Sequence, residues 1–104
     1  MVKIFSYGTL TNINIQIFEF GMTFSMSTQR HHVSGWELDV VSIGNDVFNT
    51  LIPSSVDKIV GGWLLDVPEN KLSLIDDYEG SEYKRIKLTT LEGVDCFIYV
   101  SNEI

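Results

Sequence analysis

Residues 58–67 (KIVGGWLLDV) constrain this chain more than any other stretch. They form its most apolar strand candidate, rich in the β-branched and large apolar residues that pack well on a pleated surface. Glycine weakens a strand interior, so Gly61 and Gly62 inside this run mark a bulge or a close approach by another backbone. The chain has 104 residues, 44% of them hydrophobic. That is enough for one domain over residues 1–104 with its own core, and too little for two.

Other segments qualify as partners for this strand. Residues 2–7 (VKIFSY) alternate and run into the turn-prone Gly8. Residues 28–41 carry β-branched side chains and Trp36 around Gly35, residues 47–52 stop at Pro53, and Gly44-Asn45-Asp46 turns between them. Residues 85–90 and 95–100 form a terminal hairpin around Glu92-Gly93. In residues 12–21, Ile13, Ile15 and Ile17 alternate like a strand, but Asn12 and Gly21 punctuate like helix caps, which favours a short helix. A second helix is expected over 68–79. Asp66 and Glu69 resemble a capping box, Pro68 suits a first turn, Leu72 and Ile75 with Leu65 or Tyr78 supply one apolar stripe, and Gly80 provides the stop. Strands on both sides of two short helices predict an α+β domain with a curved or barrel-like mixed sheet.

Charge and cysteine content exclude several function classes. The net charge is −7, and the seven Lys and Arg residues are scattered. Counterion release from phosphates needs clustered cations, so nucleic acid is not an expected partner. The single Cys96 cannot form an internal disulfide or a site of several thiolates, which fits a reducing, cytoplasmic setting. No run reaches the eighteen or so apolar residues of a membrane span, so no membrane partner is expected.

Chemistry concentrates in two segments. In the second helix Leu72, Ile75, Asp76 and Glu79 lie at i, i+3, i+4 and i+7, which turns Glu79 towards the apolar face. The negative pole of the helix disfavours a carboxylate by a few tenths of a kcal/mol up to about 1. Asp76 and Asp77 are expected to repel Glu79 as well, and burial raises its pKa further. A carboxyl so placed suits proton transfer near neutral pH. Read alone, a solvated or salt-bridged face also explains the cluster, with Lys84 and Arg85 close by. The second segment is Tyr7-Gly8-Thr9-Leu10, where a glycine after a strand exposes consecutive N–H groups able to hold a carboxylate or a developing oxyanion. Alone, it is also an ordinary strand-ending turn.

Taken in order, these segments resemble the γ-glutamyl cyclotransferase-like family, which includes the γ-glutamylamine cyclotransferases and the plant avirulence-induced proteins. The resemblance covers most of the chain: Tyr7-Gly8-Thr9-Leu10 after the first strand, Gly35, Val60-Gly61-Gly62, and Leu74-Ile75-Asp76-Asp77-Tyr78-Glu79-Gly80 followed by Tyr83 and Arg85. It implies a small mixed β-barrel with short peripheral helices and Glu79 as general acid/base. Gly8, Thr9 and Leu10 would hold the substrate, Tyr7 would wall the cavity, and Tyr83 would contribute a hydroxyl or pack against Glu79. The implied substrate is a small γ-glutamyl compound that releases 5-oxoproline without metal or cofactor. Thr11 stands where family members often carry a basic residue, and Ile75 replaces a leucine. A non-catalytic binding module on the same fold is the alternative.

Other residues invite blander readings. His31 and His32 are adjacent, so on an extended chain they face opposite sides and make a surface pair rather than a metal site. Cys96 shares a strand face with Ile98 and Val100 and is expected to be buried and inert. Trp36 and Trp63 are expected in the core or along the cavity, and the run from Phe18 to Met26 in the core, over the cavity mouth or at an interface. Glu82 is expected to be a surface bystander.

Overall fold

The computed structural model describes residues 1–102, apart from the side chains of Val41, Ile43 and Phe48. The apolar run becomes β6 (Ile59–Val67), the organising strand of the sheet. One edge of β6 pairs antiparallel with β1 (Val2–Ser6), and the other receives two short strands in tandem, β2 (Ser25–Met26) and β3 (His31–Ser34). Beyond β1 lie β8 (Asp95–Ser101), parallel to it, and β7 (Tyr83–Thr89), giving the order β2-β6-β1-β8-β7. Strands β4 (Trp36–Ile43) and β5 (Asp46–Pro53) form a separate two-stranded ribbon.

The sheet is mixed but open, which corrects the expected barrel. Closure needs enough staggered strand widths to curl round on themselves. Here β2 and β3 share one edge of β6, and β4 and β5 leave the sheet instead of bridging its edges. The tip of the β7–β8 hairpin reaches across: Leu91 N–H donates to the His32 carbonyl at 2.8 Å, and His32 N–H donates to Glu92 Oε1 at 2.8 Å. The two histidines therefore do not point apart. Their Nδ1 atoms lie 3.5 Å (His31) and 2.8 Å (His32) from the Glu92 carboxylate, whose hydrogen bonds from the His32 side chain and backbone hold it down at about 2.

Both faces of the sheet are covered, and the period-2 pattern sorts residues between them. Ile4, Leu65, Val67 and Tyr99 pack under the helices with Phe20, Phe24 and Ile75, while Phe5, Leu64, Ile98 and Val100 pack on the other side with Val33 and Leu51. A strand buried on both faces reads as a continuous apolar run, which is why β6 stands out in the sequence. Gly62 meets the expected close approach, since a Cβ there would lie 2.5 Å from the Ser6 carbonyl oxygen. Trp36 packs against the second core, Cys96 is buried with its thiol pushed up to about 11 by burial, and Phe18 is 86% exposed.

Helix α1 (Ile13–Phe20) is capped as expected: the Asn12 side chain accepts from the N–H groups of Asn14 and Ile15, and Gly21 closes it at φ +72°. Helix α2 (Leu72–Glu79) follows a 3-10 turn at Glu69–Lys71 and stops at Gly80, φ +84°. The expected capping box does not form. Asp66 is still inside β6, opposite Lys3 of β1, and its carboxylate accepts from Lys3 Nζ at 2.6 Å. Among the described residues, no helix is long and apolar enough to cross a membrane.

Candidate active site

Strand β1 ends where the cavity begins. Tyr7 turns its hydroxyl onto the Tyr99 carbonyl of β8 at 2.6 Å, Gly8 follows, and Thr9–Thr11 wind into a 3-10 turn. A helical turn leaves its first amides without partners inside it, which here are the N–H groups of Thr9 and Leu10. The loop is braced from behind by buried Gln16, whose Nε2 donates to the Leu10 carbonyl at 2.7 Å while its Oε1 accepts from Phe24 N–H at 2.9 Å. In front, the Thr9 hydroxyl meets the Tyr78 hydroxyl of α2 at 2.9 Å. The loop and the C-terminal end of α2 are thus fixed face to face.

Between them lies a cavity of about 400 Å³, with Tyr7, Gly8, Thr9 and Leu10 on one side and Glu79 and Tyr83 on the other. The expected site residues are all brought together. Strand β5 adds a wall through Val47 and Asn49, and Tyr99 supplies part of another. Sequence reading missed these three: Val47 and Asn49 arrive from a distant ribbon, and Tyr99 looks like one more apolar strand residue. Tyr83 donates its hydroxyl to the Asn49 carbonyl at 3.2 Å, joining the ribbon to the acidic segment. Glu82, expected as a bystander, is exposed but also lines the cavity. Trp36 and Trp63 do not line it, nor do Phe18 to Met26.

Burial is the resolved cause that pushes the Glu79 carboxyl from its ordinary 4.5 up to about 7. Among the described residues no side chain pairs with it. The expected repulsion from Asp76 and Asp77 is not among the causes of that rise; the Asp76 Oδ1 accepts from the Tyr99 hydroxyl at 2.6 Å and lies 3.6 Å from Arg85 Nη1, whose positive charge offsets its own. Arg85 also lies over the Phe97 ring, 5.1 Å from its centroid, so it does not neutralise Glu79. The hydroxyls of Tyr7 and Tyr83 are raised too, first by burial, with Glu79 adding to both. Among the described residues, no group of three or more His, Cys, Asp or Glu is placed to hold a metal ion.

This arrangement of an open mixed sheet with two short helices recurs in solved structures. An Arabidopsis thaliana protein superposes with a TM-score of 0.79 at 16% identity, covering 98% of this chain and 62% of its own length. A γ-glutamyl cyclotransferase gives 0.73 at 21% identity (97% and 66%), and an uncharacterized Homo sapiens protein gives 0.72 at 19% identity (97% and 66%). The chain thus spans about two thirds or less of the length of these neighbours, and at such identities the likeness establishes the fold. No curated protein matches it by sequence. The family described as "Gamma-glutamyl cyclotransferase, AIG2-like" matches residues 4–104, and the chain belongs to that family.

Proposed function

We propose that the protein is a cofactor-independent cyclotransferase that converts a γ-glutamyl compound into 5-oxoproline and a free amine or amino acid, with Glu79 as general acid/base. The observation that carries this reading is the unpaired Glu79 carboxyl facing the Tyr7–Leu10 loop across one cavity. Only a neutral α-amine is nucleophilic, so Glu79 takes a proton from the substrate's α-ammonium. The α-nitrogen then attacks the γ-carbonyl carbon, and the amides of Thr9 and Leu10, in the loop that lines the cavity, serve the oxyanion or the α-carboxylate. As the bond to the leaving nitrogen breaks, Glu79 returns that proton to it, then takes the second proton from the α-nitrogen, which becomes the lactam N–H, and passes it to the released amine, which departs as its ammonium. Atoms balance without water. A pKa of about 7 suits both steps, because the group is readily ionised and readily protonated at neutral pH.

Ring closure is intramolecular, so holding the glutamyl chain folded back supplies much of the acceleration. Tyr7 and Tyr83 form the walls that confine it. The test is release of 5-oxoproline from a panel of γ-glutamyl amines and dipeptides, with Glu79→Gln as the variant. The wild type should turn over at least one compound and the variant none. Full activity in Glu79→Gln would refute the mechanism, while tight binding without turnover across the panel would mark a binding module.

A further inference from the structure

The cavity's charge is one-sided. Its lining includes two carboxylates, Glu79 and Glu82, and no Lys, Arg or His among the described residues. Arg85 is held by Asp76 and Phe97, and Lys84 lies outside the lining, on the opposite face of β7 from Tyr83. The two carboxylates also occupy different depths. Glu79 is half-buried, whereas Glu82 is exposed, where the 79–83 segment meets the ribbon through the Tyr83–Asn49 hydrogen bond. Val47 stands on the same ribbon face as Asn49, two residues or about 7 Å along, and is 66% exposed. The mouth therefore offers an apolar rest on one side and a negative charge on the other.

The geometry points to Glu82 as the residue that selects the leaving amine, favouring one that carries a short alkyl stem with a cationic end. The stem lies on Val47 and the cation meets the Glu82 carboxylate. This rests on the cyclotransferase reading for the glutamyl half, which occupies the deeper part of the cavity, and names the chemistry of the other half. An anionic tail meets two carboxylates and no cation there. Glu82 also adds to the rise of the neighbouring Tyr83 hydroxyl, after burial and Glu79.

Three conjugates of nearly equal length test this: γ-glutamyl-butylamine (neutral tail), γ-glutamyl-1,4-diaminobutane (cationic) and γ-glutamyl-4-aminobutyrate (anionic). Their dissociation constants are measured by titration calorimetry on Glu79→Gln, which removes the proposed acid/base, and on Glu79→Gln/Glu82→Gln. On the first protein the cationic conjugate should bind about two- to fivefold more tightly than the neutral one, and the anionic one more weakly by a similar factor, as expected for a solvent-exposed charge. The second protein should lose the ranking. Adding Val47→Ser to the first should weaken all three while keeping it. No binding, no ranking, or a ranking that survives Glu82→Gln would overturn the proposal. Release of 5-oxoproline from the neutral conjugate by the wild type reports separately on the cyclotransferase reading, so the two can fail independently.

Discussion

On the proposed function, Glu79 would tie stability and activity to one proton, and that link can be measured. Below pH 4.5 the carboxyl is protonated in both the folded and the unfolded chain and costs nothing. Between 4.5 and 7 the unfolded chain ionises while the folded one resists, so each rise in pH favours unfolding. Above about 7 the cost levels off. A rise from 4.5 to about 7 corresponds to roughly 3 kcal/mol, or about 2–3 after allowing for the partial exposure of the side chain. Glu79→Gln removes this dependence. Urea unfolding of both proteins from pH 4 to 8.5 should show the wild type losing about 2–3 kcal/mol relative to the variant across that window, on the order of 10 °C in Tm. The rate has the opposite slope, because the ionised form accepts the proton. Wild-type kcat/KM should climb through about pH 7, where the relative stability finishes falling. A stability difference independent of pH would refute the buried-carboxyl argument. A rate inflection far from 7 would detach Glu79 from the chemistry.

Two further outcomes probe how the site is held. Gly62→Ala places a methyl 2.5 Å from the Ser6 carbonyl oxygen and 2.7 Å from Phe5 Cζ, so it should cost about 1–3 kcal/mol by urea unfolding; an unchanged midpoint would mean that the two strands separate freely. Asp76→Ala leaves the buried Tyr99 hydroxyl without its acceptor and Arg85 without its carboxylate and should cost about 1–3 kcal/mol, whereas adding Tyr99→Phe should recover only the part owed to the hydroxyl. A double variant as unstable as the sum of the single changes would show that the two residues act separately.

What was legible in the sequence is what short-range chemistry fixes. Asn12 and Gly21 identified α1 because a cap is a contact between neighbours, and the sheet strands declared themselves through alternation or, in β6, through a double-sided apolar run. The loop and Glu79 were legible because each sits at an element's end, where backbone groups and side chains turn into space. Misreadings arose wherever a side chain had a distant competitor. Asp66 resembled a helix cap but faces Lys3 across two strands, and Asp76, read as a repulsive neighbour of Glu79, accepts from Tyr99 and stands beside Arg85. His31 and His32 alternate in principle, yet both Nδ1 atoms face Glu92 from the hairpin tip. No pattern local to residues 31–32 encodes that contact, which spans sixty positions.

The open sheet and the cavity are connected features. In a closed barrel the β4–β5 ribbon would be part of the wall and its side chains would alternate between lumen and exterior. Because the ribbon stands apart, Val47 and Asn49 can border the cavity from outside the main sheet, joined to it by the Tyr83–Asn49 hydrogen bond and by Ser101 N–H donating to Thr50 Oγ1 at 3.1 Å. The end of the cavity that holds Glu79 is therefore built on braced elements, namely the loop backed by Gln16 and the end of α2 tied through Thr9 and Tyr78. The mouth is built on a two-stranded ribbon, the kind of element with least stability of its own. On the proposed function, such a division would let the glutamyl half meet a fixed geometry while the leaving amine met a wall that substitutions at Val47 or Glu82 could change without disturbing Glu79.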